Sequence, residues 1–473
     1  MKKRYLHFAI MFILTILISQ CPPLGQITLA GMRVLGIFIG VLYGWIFIDL
    51  IWPSIFGFVA LGVSGLYTAT SALASGFGNQ QLIMVLITLV FAGALEEAGF
   101  SELVSNWLLK RKIIQKSPWA LVAGILIIAY ILGVLGATMA AIFVLWSVVI
   151  RIAALCGFST KDPLISYMVI MIVMFSYAGQ LVMPFHGAAL IFEGFFTQAT
   201  GISIAYIPFI VYVLALTILI CLTLFLLGKF VFRLDASKFV LPEEIIAEIA
   251  SRTTTKTQKV SFVILIGFMA LLLLPELLPF LPGASLLSSL GLVGIGTAFL
   301  LLMNFIVIDE KPMIDLTKTF SRHVQWPLLL LLAVTFPLAD AMKSPDCGIM
   351  ATINQLLLPI ISQMSVAAFM LASMIFLGLI TQITHNVVLG AMFIPFLCPL
   401  CEQMGGSQIV LWFMLYIILQ TAYVTPAGSM QAAMIHGHAS VDKKWAYLWG
   451  IICLAASIII LAVVGIPLGK RLF

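Results

Sequence analysis

Four polar interruptions constrain the fold of this chain most strongly, because each lies inside an apolar stretch that would otherwise simply cross a membrane. The first half contains Gly136-Ala-Thr138 and Pro184-Phe-His-Gly187, and the second half contains Thr381-Gln-Ile-Thr-His-Asn386 and Thr425-Pro-Ala-Gly-Ser429. At bilayer depth, unpaired backbone groups are tolerated only where the backbone is buried in protein or lines a cavity. Interrupted segments at corresponding positions of two halves point to the binding site of a secondary transporter.

The composition places the chain in a membrane. Of its 473 residues, 63% are hydrophobic and 9% are charged, whereas a soluble chain has roughly 25% charged residues. We therefore predict an all-α polytopic membrane protein. Its formal charge of +6 comes from loop residues, so its partner is the lipid bilayer and not nucleic acid. Met1-Lys-Lys-Arg4 and the following apolar run predict an uncleaved signal anchor.

Hydropathy predicts about eleven transmembrane helices and two re-entrant hairpins. A crossing needs about 20 apolar residues, and the candidate segments are 5–21, 28–48, 53–73, 82–98, 164–200, 205–231, 260–281, 287–308, 326–342, 409–438 and 446–468. Of these, 164–200 and 409–438 are expected to be broken helices. The segments 118–155 and 365–402 are long enough for two spans each, but they are interrupted near the middle. They are therefore predicted to enter and leave the membrane on one side.

The positions of the basic residues agree with this topology. With a cytoplasmic N-terminus, 20 of the 24 Lys and Arg residues fall on the cytoplasmic side, as the positive-inside rule requires. We expect a plasma-membrane protein whose C-terminal Phe473 lies outside the cell.

The two halves also predict an inverted-topology repeat. Each half has a span, an amphipathic stretch, a hairpin, a broken helix and an unbroken helix, but the halves start on opposite sides of the membrane. The predicted units are N-terminal helices at 1–79, a first repeat at 80–233, a cytoplasmic linker with a short helix at 234–259, transmembrane helices at 260–323 and a second repeat at 324–473.

Nothing in the sequence indicates an enzyme or a resident cofactor. The histidines near membrane depth have no HxxxH or HExxH spacing; they are His186, His385, His436 and His438. Three acidic residues at span ends are interpreted as interfacial charges: Glu96, Glu97 and Asp340.

The breaks themselves are the candidate binding site for a small anion. Helix N-termini there offer N–H groups and positive dipole ends, while carbonyl and hydroxyl oxygens suit a cation. The proposed substrate-binding residues are Gly136, Ala137, Thr138, Pro184, His186, Gly187, Thr384, His385, Asn386, Thr425, Pro426 and Ser429. The alternative is a set of kinks that neighbouring helices satisfy, but four breaks in repeat-related pairs disfavour it.

In these motifs the chain resembles the divalent anion:sodium symporter family of the ion transporter superfamily. Family hairpins carry Ser-Asn-Thr, where this chain has Gly136-Ala-Thr138 and His385-Asn-Val387. The resemblance implies a homodimer, a scaffold domain, and a transport domain that moves like an elevator. It also implies sodium sites, and in the second half these would use Thr381, Asn386, Ala427 and Gly428. The first hairpin has lost the Asn, and Leu132 replaces a hydroxyl residue there, so sodium is expected in the second half.

A histidine lies at a break in each half of the chain. His186 and His385 could bind carboxylates through charge-assisted hydrogen bonds, or they could titrate near neutrality and couple transport to protons. The alternative for each is a histidine that a backbone carbonyl satisfies.

We therefore predict a secondary active transporter of a di- or tricarboxylate-like anion, coupled to sodium, protons or both. The alternatives are a cation/proton antiporter or an uncoupled anion exchanger of the same superfamily, and a channel. An antiporter should carry carboxylates in its breaks, and none of the four motifs contains one. A channel does not need an inverted pair of re-entrant tips.

Overall fold

The structure, a computed structural model, describes residues 2–109, 117–242, 244–245, 247, 251, 253–361 and 363–473. Within these residues the elements are helices, apart from a short antiparallel hairpin of β1 (Val307–Ile308) and β2 (Lys311–Pro312). Ten of the described helices are long and apolar enough to cross a membrane. The prediction of an all-α polytopic membrane protein is confirmed.

The helices of the first half are α1 (Lys2–Gln20), α2 (Leu29–Phe47), α3 (Ile51–Gly62), α4 (Ala69–Phe77), α5 (Gln80–Glu97), α6 (Phe100–Leu109), α7 (Pro118–Val134), α8 (Thr138–Leu155), α9 (Pro163–Gln180), α10 (Gly187–Thr200) and α11 (Tyr206–Leu226). Helix α11 continues as a π-helical turn, Leu227–Val231. In this half, α7 and α8 form a helical hairpin, and α9 and α10 form a broken helix.

The helices of the second half are α12 (Lys256–Leu277), α13 (Ala284–Phe305), α14 (Leu316–His323), α15 (Trp326–Lys343), α16 (Ile349–Ile361), α17 (Val366–Ile380), α18 (Asn386–Gln403), α19 (Gln408–Leu419), α20 (Met430–Gly437), α21 (Lys443–Ile460) and α22 (Ile466–Leu472). A π-helical turn, Leu461–Gly465, joins the last two. Here α17 and α18 form the hairpin, and α19 and α20 form the broken helix.

The predicted single span at 53–73 is wrong, because two short helices replace it. Helix α3 ends at Gly62, and α4 begins at Ala69. Between them Gly65 has a φ of 94°, the Ser64 hydroxyl accepts a hydrogen bond from the N–H of Leu66, and Thr68 starts α4 with a capping box. The 12 residues of α3 extend about 18 Å at 1.5 Å per residue, which is less than a hydrocarbon core of about 30 Å. The count of eleven crossings stays a prediction.

The predicted short helix in the linker 234–259 falls largely on residues outside the described ranges. The part of the linker before residue 243 is irregular, and the Ser237 N–H donates to Asp235 Oδ1 at 2.9 Å. This bond, together with one from the Ser237 side chain, lowers the pKa of the exposed Asp235 carboxyl.

Close glycine contacts set the position of the first hairpin against the first broken helix. A Cβ built on Gly133 of α7 would lie 2.0 Å from the carbonyl oxygen of Ser176, and one on Gly179 of α9 would lie 2.1 Å from that of Tyr130. Larger residues would therefore force α7 and α9 apart, and the interface depends on glycine at both positions.

An aromatic cluster joins the two halves near the breaks. Trp412 and Tyr416 of α19 stack with ring centroids 5.3 Å apart. The Trp412 indole N–H donates to the Phe192 carbonyl at 3.0 Å, and the Tyr416 hydroxyl donates to the Leu181 carbonyl at 3.1 Å. Because Leu181 begins the first break and Phe192 lies in α10, these bonds tie the second broken helix to the first.

Candidate functional site

The tip of the first hairpin is a helix end that requires glycine. Helix α7 closes in a Schellman motif, in which the Gly136 N–H donates to the Gly133 carbonyl at 3.0 Å and the Ala137 N–H donates to the Leu132 carbonyl at 2.8 Å. Gly136 has a φ of 87°, and a Cβ there would lie 2.7 Å from His186 Nε2. The tip therefore lies directly against the His186 ring.

The first break runs from Leu181 to His186, after which α10 begins at Gly187. Pro184 and Gly187 are buried, and His186 is half-buried. His186 is the N-cap residue of α10, but its side chain makes no capping hydrogen bond. The structure thus brings His186 to the tip residue Gly136.

Several buried polar atoms of the first half have no hydrogen-bond partner among the described residues. They are Thr138 Oγ1 at the start of α8, and Ser176 Oγ, Tyr177 Oη and Gln180 Oε1 near the end of α9. A buried polar group left unpaired costs about 1–3 kcal/mol, so such atoms usually mark a place where water or a ligand binds.

The tip of the second hairpin is organised by Gln382. Its amide Nε2 donates to the Gly378 carbonyl at 2.8 Å and to the Thr421 carbonyl at 3.2 Å, while its Oε1 accepts from the Val424 N–H at 3.0 Å. The Thr425 hydroxyl donates to the Gln382 carbonyl. One side chain therefore fastens the hairpin tip to the second break.

Three further polar side chains at the second tip and break are also paired. The Thr381 hydroxyl donates to the Leu419 carbonyl at 3.1 Å, and the Asn386 amide donates to Gln420 Oε1 at 2.7 Å. Ser429 caps α20 by accepting from the Ala432 N–H at 3.1 Å, and it donates to the Ala422 carbonyl at 2.6 Å.

The predicted sodium ligands are only partly brought together. A Cβ on Gly428 would lie 2.8 Å from the Thr381 carbonyl oxygen and 2.9 Å from that of Gln382, so backbone oxygens gather at Gly428. Thr381 is fully buried and Asn386 is 7% exposed, but both side chains are engaged in the bonds given above. Ala427 is exposed, as is Pro426 of the predicted substrate set.

The two histidines have different surroundings. His385 is exposed and precedes α18 without a side-chain capping bond, and its neighbour Thr384 is half-buried. His186, in contrast, is covered by the hairpin tip at Gly136. The two imidazoles are therefore not equivalent, although the sequence placed one in each half.

Helices that begin at the breaks are capped differently from the others. At the N-termini of many other helices the N-cap side chain accepts a hydrogen bond, as with Thr28, Asn79, Ser117, Asp162, Ser365 and Ser407. At the breaks, Ala137, His186 and His385 provide no such side-chain bond, and only Ser429 does. Uncapped N-termini present N–H groups and positive dipole ends to a ligand.

A cavity of about 40 Å³ adjoins the first tip and break. The residues that line it include Gly136, Ala137, His186, Glu96, Phe268 and Met269. The volume is large enough for water. The Glu96 carboxylate, interpreted from sequence as an interfacial charge, faces this cavity and accepts from the Ser101 hydroxyl at 3.0 Å.

The sequence reasoning missed three glutamines. Gln180 ends α9, Gln420 caps the C-terminus of α19, and Gln382 lies in the second tip. Their signal is an amide at or just after the end of the helix that precedes three of the four interruptions; the helix before the first hairpin tip ends in Val134 and Leu135 and has none.

Comparisons with known proteins agree on the kind of molecule. A model of the citrate transporter family (CitMHS) matches residues 34–382, which is most of the chain. The Alcanivorax borkumensis YdaH transporter is structurally similar, with a TM-score of 0.57 and 17% identity over 85% of this chain and 89% of that chain. A search of curated protein sequences found no match.

A second structural relative is MtrF of Neisseria gonorrhoeae, whose structure is described as illuminating a class of antimetabolite efflux pumps. It has a TM-score of 0.58 and 13% identity, over 95% of this chain and 96% of that chain. Identities this low establish a shared fold, and function has to be argued from the site.

Proposed function

Because the chain belongs to the citrate transporter family, which is of the same class of ion transporters as the divalent anion:sodium symporters that its motifs resemble, we propose that it carries citrate or a related di- or tricarboxylate by secondary active transport. The chain is a membrane transporter of that family. Its substrate, its coupling ions and an elevator-like movement are the parts that we propose.

The meeting of two uncapped helix N-termini supports an anionic substrate. Gly136, just before α8, lies against His186, just before α10, and neither N-cap side chain satisfies the first N–H groups of its helix. The tip and break motifs contain no Asp or Glu. Two positive dipole ends and an imidazole therefore lie close together, an arrangement that suits a carboxylate.

Charge compensation supports a coupled mechanism. The four motifs also contain no Lys or Arg, so a di- or tricarboxylate entering them needs other positive charge. We propose that protonated His186 and His385 supply part of it, and that sodium near the carbonyls around Gly428 supplies another part. Because the protonated histidines and the sodium ion both favour the bound anion, the binding of substrate and the binding of cations reinforce each other.

We propose that the hairpins and broken helices move together as a transport domain. The bonds from Trp412 to the Phe192 carbonyl and from Tyr416 to the Leu181 carbonyl join the two broken helices. A unit joined in this way can move past a scaffold of the other helices without losing the site between its halves. The proposal includes a homodimer in the plasma membrane, with a cytoplasmic N-terminus and an outside C-terminus.

Uptake of radiolabelled citrate into proteoliposomes tests the proposed function. We expect accumulation that depends on an inward sodium or proton gradient, and counterflow when unlabelled citrate is loaded inside. Counterflow without gradient-driven accumulation would indicate an uncoupled exchanger. Downhill flux without counterflow would indicate a channel, and either result would overturn the proposal. Empty liposomes and succinate as a competitor provide the controls.

A further inference from the structure

Glu193 is a buried carboxylic acid that the proposed anion site does not use. It lies in the middle of α10, and its side chain is 7% exposed. Six residues separate it from Gly187, which corresponds to about 9 Å along a helix axis. An ionisable residue at such a place in a membrane protein is costly to bury and commonly functional.

The surroundings of Glu193 offer little to stabilise a negative charge. Its one hydrogen bond in the described structure comes from the Ile204 N–H to Oε1 at 3.5 Å, which is the limit of a normal bond. No Lys, Arg or His in the described ranges forms an ion pair with it. The titratable side chains that face it are Tyr206 of α11 and Tyr416 of α19. Both are neutral.

Charged groups on the other helices that pack against α10 lie away from Glu193 and are engaged elsewhere. Asp340 and Lys343 of α15 bond to Gln198, near the end of α10. The acids at the end of α5 bond to Ser101 and Thr319, and Glu402 is exposed at the end of α18. An isolated carboxylate in apolar surroundings is far more costly to bury than a carboxylic acid.

The position of Glu193 connects it to both halves of the site. Its neighbour Phe192 accepts a hydrogen bond from Trp412, and a Cβ on Gly390 of α18 would lie 2.6 Å from the Phe192 ring. Helix α10 begins at the first break and is packed against the second hairpin. A change of charge on Glu193 therefore acts on the element that joins the two breaks.

We propose that Glu193 is a proton-binding site of the transport cycle, which takes up a proton together with the substrate and releases it on the other side. This inference rests on the proposed function, and it adds a proton carrier separate from the two histidines. In this scheme the two histidines set the affinity for the anion, and Glu193 links the movement of the anion to the proton gradient.

The alternative is that Glu193 only holds the loop before α11 through the Ile204 N–H. Glu193→Gln separates these roles, because the amide keeps an acceptor oxygen for Ile204 but cannot release a proton. We expect Glu193→Gln to retain citrate counterflow at equal pH and to lose accumulation driven by a pH gradient by about tenfold or more. Accumulation equal to that of the parent protein would overturn the proposal.

Glu276→Gln is the matched control. Glu276 is the neighbouring exposed carboxylate and accepts hydrogen bonds from the N–H groups of Tyr206 and Ile207 at 2.9 and 2.8 Å. This variant should keep both counterflow and gradient-driven accumulation. Loss of coupling in Glu276→Gln to the same degree would show a general effect of carboxylates near this loop and would contradict a specific role of Glu193.

Direct detection of the proton needs neither transport nor a stable variant. Dicyclohexylcarbodiimide reacts with protonated carboxyl groups in apolar membrane surroundings, and peptide mass spectrometry locates the adduct. We expect labelling of Glu193 in the parent protein that falls as the pH rises, and no labelling of exposed Glu276. An unlabelled Glu193 at acidic pH would overturn the proposal even if citrate transport is found. Labelled Glu193 in a protein that does not transport citrate would refute only the proposed function.

Discussion

The two halves of the site contain the same order of elements, but they satisfy their polar groups differently. In the second half, Thr381, Gln382, Asn386 and Ser429 all have hydrogen-bond partners. In the first half, buried oxygens at four positions have no partner among the described residues: Thr138, Ser176, Tyr177 and Gln180. These four side chains of the second tip and break thus form a paired network, although Gln408 and His436 of the same broken helix keep an unpartnered atom, whereas the first half has unpartnered oxygens beside its tip and break.

This difference adds a distinction that the sequence motifs did not suggest. The first half lost the Asn and one hydroxyl of the family signature, so sodium was expected in the second half, while substrate-binding residues were expected in both. In the structure, the close contact between a hairpin tip and a histidine is that of Gly136 with His186, in the first half. The cavity lies beside this contact. We infer that the second half mainly supports the site and that the first half binds the anion.

The largest effect is expected from breaking the second-half network. Asn386→Ala removes the donor to Gln420 and leaves its buried oxygen unpaired, which costs about 1–3 kcal/mol of stability. We expect citrate uptake to fall to background. The double variant Asn386→Ala/Gln420→Ala should be no less stable than the worse single variant, because the two residues interact. Thermal unfolding measures the stability of the single and double variants, and proteoliposome assays measure their citrate uptake. Full uptake in Asn386→Ala would contradict the proposed supporting role of the second half.

A pair of glycines tests the first-half contact. Gly136 and Gly157 both end helices with a positive φ, of 87° and 72°. Only Gly136 has a close neighbour, since nothing lies within 4 Å of a Cβ on Gly157. Alanine should cost about 1–2 kcal/mol at either position, but only Gly136→Ala should displace His186. Uptake should therefore fall severalfold in Gly136→Ala alone, and equal uptake in the two variants would contradict the importance of this contact.

The hydroxyls of Thr138 and Thr381 provide an intermediate test. Thr381→Val loses the bond to the Leu419 carbonyl and should be destabilised by about 1 kcal/mol. Thr138→Val removes a buried hydroxyl that has no partner, so the free protein should be at least as stable as the parent. We expect Thr138→Val to bind citrate more weakly, which appears as a smaller rise in melting temperature on adding citrate. A normal rise would indicate that this hydroxyl does not face the anion.

The smallest effect is expected on the pH dependence of citrate affinity. A protonated imidazole binds a carboxylate better, so affinity should fall as pH rises through the range in which the imidazole beside the bound anion loses its proton. His186→Gln should flatten this dependence more than His385→Gln, because His186 is enclosed by the tip and His385 is exposed. The ionisation of citrate itself is the same for all variants, so it does not contribute to the difference between their pH profiles. Identical profiles would show that the two halves bind the anion equally.

The sequence predicts the secondary-structure elements of this protein better than it predicts the contacts between their side chains. The resemblance to an ion-transporter family and the all-α membrane fold are confirmed, because apolar length and polar interruptions are local signals. The span at 53–73 was wrong, since the turn at Ser64 and Gly65 and the cap at Thr68 were read as parts of one apolar run. The roles of Gln180, Gln382 and Gln420 were missed, because an amide in a sequence does not indicate which carbonyl it will meet.

By itself, the sequence determined that the chain is an all-α membrane protein and where its long apolar helices are interrupted, whereas the inverted repeat of the two halves stays a prediction. The fold class and the interruptions follow from the cost of exposing backbone groups to lipid, which depends only on neighbouring residues. The tertiary structure alone decided that Gly136 lies on His186, that Asn386 pairs with Gln420, and that Glu193 is buried without a counter-charge. Such contacts join residues far apart in the chain, and they depend on how helices pack, which local hydrophobicity does not specify.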